Sequence, residues 1–373
     1  MSENETIKEE REFSLNQIYF YLTEGCNLAC RHCWIAPKYQ AGGHKYPSLD
    51  LNLFQSILRQ AKLMKVPSVK LTGGEPLLHP QIHEILDIIR TEGLGLTVET
   101  NGVLCTPELA QQIASIGKPF VSVSLDGANP ETHEWIRGVN GSFEGALEGI
   151  RNLVSYNIHP QIIMTVMKRN QDQMEAVIRL AESLNAESVK FNVLQPTSRG
   201  EKMHEQGETL TIEELVEVGQ WVENTLSTLT KLRIVFDHPI AFRPLSRMFG
   251  GNGSCAICGI FGIIGVLANG SYALCGIGES VPELIFGDAS KDRLEDVWKN
   301  NPILQEIRSG LPEQLTGICS DCLLRNRCLG SCIAQNYYRN KNLWAPFWFC
   351  EEAYAKGIFP KTRIRSSLSL IQQ

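Results

Sequence analysis

Three cysteines within eight residues constrain what this chain of 373 residues can fold into more than any other feature. Cys26, Cys30 and Cys33 have the spacing C-x3-C-x2-C and directly follow an apolar run, Ile18–Leu22. Thiolates are soft ligands that suit iron–sulfur clusters and zinc, and one loop with this spacing can wrap a compact metal centre. A cubane cluster or a tetrahedral zinc takes four ligands. One position is therefore left for a reacting molecule, or for His32 if the centre is a structural zinc.

Short apolar runs alternate with helical patterns over the first two thirds of the chain. The runs span residues 18–22, 68–71, 96–99, 120–125, 162–166 and 189–194. The helix-like segments lie near 49–64, 80–93, 107–117, 143–156, 170–185 and 211–229. This alternation predicts βα units around a parallel sheet. Six units are fewer than the eight of a closed barrel, so we expect an α/β fold with a partial, open (βα)6 barrel.

Polar segments follow several of the predicted strands at the point where each strand ends. They are Gly73-Gly74-Glu75-Pro76, Thr100-Asn101-Gly102 and Ser124-Leu125-Asp126-Gly127. Active sites of βα barrels gather at these strand ends. Glycines let the backbone approach a ligand closely, and Glu75 can accept hydrogen bonds from an ammonium group. Asn-Gly and Asp-Gly are also turn dipeptides, so ordinary turn chemistry is the alternative at Asn101 and Asp126.

The three-cysteine loop and Gly73–Pro76 together resemble the signature of radical S-adenosylmethionine (SAM) enzymes. The resemblance implies a catalytic [4Fe–4S] cluster on the three cysteines, whose open iron binds SAM. Reductive cleavage of SAM then yields a 5′-deoxyadenosyl radical that abstracts a substrate hydrogen. The SAM-contacting residues implied by the resemblance are Gly73, Gly74, Glu75, Asn101, Ser124, Arg137 for the carboxylate and Leu194 for the adenine. A surface position for Arg137 and core packing for Leu194 are the alternatives.

The last third of the chain is rich in cysteine. The pattern is Cys258-x11-Gly270-x4-Cys275, then Cys319-x2-Cys322-x5-Cys328-x3-Cys332, then Cys350. It resembles the SPASM domain, which binds auxiliary [4Fe–4S] clusters, and Cys255 adds an eighth thiol. The resemblance implies a first auxiliary cluster on Cys255, Cys258, Cys275 and Cys332, and a second on Cys319, Cys322, Cys328 and Cys350. Three [4Fe–4S] clusters are then expected in all, with a zinc ribbon at 319–332 as the alternative.

Composition and segment boundaries set the remaining expectations. We expect a polar tail at 1–15, the barrel at 16–231, a glycine-containing bridging region at 232–252, the SPASM domain at 253–355 and a C-terminal tail at 356–373. The net charge of −6 without a long basic run speaks against a nucleic-acid partner. No signal peptide and no apolar run of about 18 residues is present, so we expect no membrane partner. Twelve cysteines then indicate metal ligands in a reducing cytoplasm.

The resemblance implies an enzyme that modifies a ribosomally synthesised precursor peptide, by cross-link formation or by tyramine-excising splicing, with an external electron donor. An anaerobic sulfatase maturase forming formylglycine is the alternative. In those relatives the aspartate directly after the last cysteine of G-x4-C acts as the catalytic base. This chain has Gly276 at that position, so Asp237 would have to supply the base. A non-catalytic iron–sulfur electron-transfer protein would need the C-terminal thiols but not Gly73–Pro76. About fifteen residues precede the first strand, too few for a leader-binding winged-helix domain. We therefore expect a small partner protein to recognise the leader.

Overall fold

The computed structural model describes residues 13–40, 45–245 and 258–365. Within these ranges, ten of twelve strands form one sheet, in the order β12-β11-β10-β1-β4-β5-β6-β7-β8-β9. The strands are β1 Gln17–Tyr21, β2 Gly25–Cys26, β3 Lys38–Tyr39, β4 Ser68–Thr72, β5 Gly95–Thr100, β6 Phe120–Ser124, β7 Gln161–Val166, β8 Ser188–Val193, β9 Arg233–Phe236, β10 Ile263–Val266, β11 Ser271–Ala273 and β12 Ile285–Asp288.

The sheet is parallel from β10 through β9, and only the hairpin partners β11 and β12 run antiparallel. Strands β1 and β4 to β8 are the six that the apolar runs predict, so the α/β fold with a parallel, open barrel is confirmed. Strand β9 extends this barrel on one edge. Strand β10 pairs with β1 on the other edge, so the cysteine-rich part of the chain continues the barrel sheet.

Helices alternate with the barrel strands and bury an apolar face. The helices are α1 Leu51–Leu63, α2 Ile82–Glu92, α3 Pro107–Ala114, α4 Pro130–Arg137, α5 Ser142–Ser155, α6 Met174–Ser183, α7 Arg199–Glu205, α8 Ile212–Asn224, α9 Leu294–Asn300, α10 Pro302–Gly310, α11 Gly317–Asp321, α12 Arg325–Cys328, α13 Ile333–Asn340 and α14 Trp348–Ala355. Their starts follow local rules. Thr106 and Asn129 cap α3 and α4, each followed by a proline, and Thr211 forms a capping box with Glu214.

Short 3₁₀ turns complete the described structure, at Pro76–Leu78, Gln171–Gln173, Leu226–Thr228, Ile240–Phe242, Gly276–Glu279, Pro282–Leu284 and Lys361–Arg363. Residues 356–365, which the sequence places in a tail, pack on the domain before them. Phe359 is buried in the core, and Ile364 forms an isolated bridge with Cys322. Cys255 and most of the glycine-rich part of the bridging region lie outside the described residues. No helix of the described ranges has the length and apolar character needed to cross a bilayer.

Candidate active site

The three-cysteine loop leaves the barrel at the end of β1, where β2 pairs with β3. Cys26 and Cys30 are buried and Cys33 is half-buried. Burial raises the pKa of Cys30 to about 11; Arg137 lowers it and the neighbouring thiol of Cys33 raises it. The backbone N–H of Leu28 donates to Cys26 Sγ over 3.4 Å, and Arg137 Nη1 donates to Cys30 Sγ over 3.6 Å. The structure thus brings the three thiols together with donors that favour the thiolate form.

Gly73 and Gly74 seat this loop on the end of β4. The N–H of Gly74 donates to Thr23 O over 3.0 Å, and the N–H of Glu75 donates to Gly25 O over 3.1 Å. A Cβ on Gly74 would lie 1.9 Å from Gly25 O, which no backbone packing tolerates. Gly73 has φ of +121°, a region that favours glycine. The two glycines are therefore required by the close approach of two backbone segments.

The Glu75 carboxylate is buried and accepts three hydrogen bonds from its own chain. Oε1 accepts from Thr100 Oγ1 over 2.7 Å and from Leu77 N over 3.1 Å, and Oε2 accepts from Asn101 N over 2.8 Å. Burial raises the pKa of Glu75 to about 6, although these donors lower it. Glu75 thereby ties the glycine turn after β4 to the end of β5. One carboxylate lone-pair direction stays unused by these three donors.

Asn101 and Ser124 lie at the ends of β5 and β6, as expected. Asn101 Nδ2 donates to Asn27 Oδ1 over 2.8 Å and approaches Cys26 Sγ at 3.9 Å, and its Oδ1 accepts from Val103 N over 3.0 Å. Asn101 therefore braces the cysteine loop from the barrel side. Ser124 is half-buried and lines the cavity described below.

Arg137 is buried, not a surface residue. Its Nε lies 2.7 Å from Oδ2 of the fully buried Asp126, and His32 Nε2 approaches the same oxygen at 3.6 Å. Despite burial, Arg137 and then His32 hold the pKa of Asp126 below its usual range. Burial lowers the pKa of His32 to about 4, so its ring is neutral near pH 7. The ion pair with Asp126 and the hydrogen bond to Cys30 Sγ hold the Arg137 guanidinium between these two groups.

A cavity of about 360 Å³ lies over these strand ends. Its walls include the sequence-predicted residues Cys26, Cys30, Cys33, Gly73, Gly74, Glu75, Asn101, Ser124 and Arg137. Leu194 does not line it: this side chain is buried in a small cluster with Ile136, Met167 and Met203. Its chain neighbours Val193 and Gln195 face the cavity instead, because alternate residues of a strand end point to opposite sides.

The C-terminal thiols fall into two groups. The pKa values of Cys258, Cys275 and Cys332 are raised to about 12. Burial is the main cause, and the charge of another of the three thiols adds to it in each case. Cys275 and Cys332 also line the cavity, so this first group faces the three-cysteine loop across it. The second group is Cys319, Cys322, Cys328 and Cys350, which line a separate apolar cavity with Phe347 and Phe359. Burial raises the pKa values of all four, and the charge of neighbouring thiols raises those of Cys319, Cys328 and Cys350 further.

These donor sets fit iron–sulfur clusters. Seven described C-terminal thiols and the three loop thiols are buried or half-buried, and burial disfavours the thiolate that a metal needs. Crowded thiolates become favourable only with positive charge among them, which a cluster supplies. No group of three or more Cys, His, Asp or Glu in the described ranges is placed to hold a single ion. A cubane instead distributes its cysteines over separate irons.

The position after Cys275 is closed to any side chain. A Cβ on Gly276 would lie 2.3 Å from Cε1 of the buried Tyr21 ring. An aspartate base therefore does not fit here beside Tyr21. Asp237, the possible replacement, lines the cavity, and its charge contributes to the raised pKa of Cys258 and Cys332.

Several cavity residues are not among those that the sequence predicts for the site. Asn192, Gln195 and Gln335 present carboxamides, and Glu99 on β5 and Lys190 on β8 are charged side chains. The alternation of β5 and β8, with charged or polar residues between buried ones, was a usable signal for the barrel interior. Gln335 has no such signal, because only the tertiary fold brings α13 to the cavity.

Comparison with known proteins gives two domain matches. Residues 20–181 match the Radical SAM superfamily, and residues 255–323 match SPASM, an iron-sulfur cluster-binding domain. The second match ends before Cys328, Cys332 and Cys350.

Relatives and solved structures extend over most of the chain. The AdoMet-dependent heme synthase of Methanosarcina barkeri is 29% identical over 345 residues, covering 86% of this chain and 91% of that protein. The mycofactocin maturase MftC of Mycobacterium tuberculosis is 26% identical over 345 residues, covering 92% and 84%. The crystal structure of Streptococcus suis SuiB bound to precursor peptide SuiA has a TM-score of 0.70 at 17% identity, covering 91% of this chain and 76% of that one. This last likeness concerns the fold.

Proposed function

Because this chain belongs to the radical SAM enzymes that carry a SPASM domain, we propose that it modifies a ribosomally synthesised precursor peptide. The observation that carries the proposal is the single cavity between the three-cysteine loop and the thiols Cys275 and Cys332. A substrate segment in this cavity touches both cysteine centres at once. The mycofactocin maturase similarity over 92% of the chain supports a peptide substrate, as does the SuiB fold, solved with a precursor peptide.

Within this proposal, the barrel residues bind SAM and its cluster. Cys26, Cys30 and Cys33 hold the cluster, which together with SAM supplies reductive radical chemistry when bound. The seated backbone of Gly73–Glu75 presents carbonyl groups and the Glu75 carboxylate to the SAM ammonium group. Arg137, fixed by Asp126, faces the SAM carboxylate, for which a guanidinium is suited. Asn101 and Ser124 line the cavity at the ends of β5 and β6. Leu194 packs in the core and is given no contact with SAM.

We assign two further clusters to the C-terminal thiols. Cys258, Cys275 and Cys332 would hold the first, with Cys255 as the fourth ligand. Cys319, Cys322, Cys328 and Cys350 would hold the second. The grouping of the described thiols around two separate centres supports this assignment. The closed position at Gly276 counts against formylglycine formation by a base at that site.

A tetrapyrrole substrate is the second candidate function. The similarity to the heme synthase of Methanosarcina barkeri, at 29% identity, favours it. Both candidates use the same cavity, so they differ in substrate and not in the site.

The test is anaerobic turnover of the reconstituted enzyme with SAM and dithionite. The neighbouring genes are first sequenced to find a short precursor polypeptide and a small leader-recognition protein. One reaction contains a synthetic copy of that polypeptide together with the small protein, and a parallel reaction contains Fe-coproporphyrin III. Mass spectrometry should show a changed mass for the peptide and an unchanged mass for Fe-coproporphyrin III. A changed tetrapyrrole beside an unchanged peptide would contradict the proposal and establish the second candidate.

A further inference from the structure

Three side-chain carboxamides line the central cavity. Asn192 stands near the end of β8, Gln195 follows that strand, and Gln335 lies in the first turn of α13. All three line the cavity. Their oxygens, Asn192 Oδ1, Gln195 Oε1 and Gln335 Oε1, are buried and accept no hydrogen bond from the part of the chain that the structure describes. This group is called the amide wall below.

Unpaired buried polar oxygens are uncommon, because desolvation without a partner is costly. Three such oxygens on residues that line the same cavity therefore indicate a ligand that supplies donors. Asn101, which follows β5 and lines the same cavity, shows the contrast: its carboxamide donates to Asn27 and accepts from Val103 N. The Asn101 carboxamide is thus satisfied within the protein, whereas the three oxygens of the amide wall have no hydrogen-bond donor among the described residues.

The chemistry of the wall fits a peptide backbone. A carboxamide offers an acceptor oxygen and two N–H donors, which matches the N–H and C=O of a peptide group. A tetrapyrrole with several carboxylates would instead call for uncommitted cations. Arg199 donates to Cys30 O and Pro37 O. Lys190 lies near Glu99: burial raises the pKa of that carboxylate, but Lys70 and then Lys190 bring it below its usual value.

We propose that Asn192, Gln195 and Gln335 bind backbone amides of the substrate peptide. Gln335 is three residues after Cys332, so a strand of peptide held by the wall lies beside the first C-terminal thiol group. The wall joins the end of β8 to α13, and a peptide bound there contacts the barrel and the cysteine-rich domain together. This inference rests on the proposed function and adds which atoms of the substrate are recognised.

The experiment measures binding of a fluorescein-labelled synthetic copy of the polypeptide encoded beside the gene. The reconstituted wild type is compared with Asn192→Leu, Gln335→Leu and the smaller change Gln335→Ala. Each variant should bind the peptide about tenfold more weakly, because it loses hydrogen bonds to the backbone. SAM affinity should stay at the wild-type value, which also reports that the site is folded. Gln206→Leu, at an exposed glutamine of the α7 end, is the matched control and should not change either affinity.

A backbone-ester series of the same peptide makes the test specific. Replacing one amide by an ester removes one N–H, so wild type should lose affinity at the position that faces the wall. The Gln335→Leu variant should lose little further affinity when the ester stands at that position, because the substitution and the ester remove the same hydrogen bond. Unchanged peptide affinity in the Asn192 and Gln335 variants would overturn the amide wall and leave the proposed function intact. Binding of Fe-coproporphyrin III but not of the peptide by wild type would overturn the proposed function and this inference with it.

Discussion

Replacing Gly74 by alanine should unseat the three-cysteine loop. The added Cβ would lie 1.9 Å from Gly25 O and 2.6 Å from Gly25 C, and ordinary contacts begin at 3.4 Å, so the two backbones must separate by about 1.5 Å. Two hydrogen bonds at the contact, Gly74 N to Thr23 O and Glu75 N to Gly25 O, are then lost. At about 1 kcal/mol each, with overpacking of about 1–3 kcal/mol, the free energy of unfolding should fall by about 3–5 kcal/mol.

The assay is urea unfolding of wild type and variant, together with SAM binding of the reconstituted proteins. Gly93→Ala is the matched control, because nothing lies within 4 Å of its Cβ and only its φ of +70° opposes alanine. That control should cost about 1 kcal/mol and keep full SAM affinity. Gly74→Ala should lose both stability and SAM affinity. If Gly74→Ala matched Gly93→Ala in both measurements, the close seating of the loop on the β4 turn would be refuted.

Three further outcomes are expected. Reconstituted wild type should carry about twelve irons per chain, and about eight after alanine replacement of the three loop cysteines; about four in wild type would contradict two auxiliary clusters. Asp126→Asn should lower the free energy of unfolding by about 3–5 kcal/mol, because it leaves the buried Arg137 guanidinium without its carboxylate. The exposed Arg179–Glu175 pair is the control, and Glu175→Gln should change stability by at most about 0.5 kcal/mol. If the Glu75 carboxylate, with its pKa of about 6, binds the SAM ammonium, then SAM affinity should fall as pH drops below 6, by up to about tenfold per unit. Glu75→Gln should lack this fall, and identical pH profiles would remove Glu75 from SAM binding.

The barrel could be predicted from the sequence because its signals are local. Apolar runs bounded by glycines and polar turns mark all six strands, to within one residue at each end. Helix α4 also has a local signal: Asn129-Pro130 is an N-cap followed by proline at the first helical position. Strand β9 falls in the predicted bridging region, since its four residues are too few to show a period.

The remaining parts of the site depend on tertiary contacts. The two groups of C-terminal thiols interleave along the chain, so spacing alone does not sort them. The ring of Tyr21 closes the space beside Gly276 from a strand far away in sequence. Leu194 differs from its expected role by one position, because its neighbours face the cavity while it faces the core. A resemblance can locate a strand end, but the side to which each residue points needs the register.

The most direct test of the account follows a hydrogen atom from the substrate. The enzyme is incubated anaerobically with SAM, dithionite and a fully deuterated copy of the polypeptide encoded beside the gene, and 5′-deoxyadenosine is analysed by mass spectrometry. A radical SAM enzyme that acts on this peptide should yield 5′-deoxyadenosine one mass unit heavier, with a matching change in the peptide. Unlabelled 5′-deoxyadenosine beside an unmodified peptide would contradict the account.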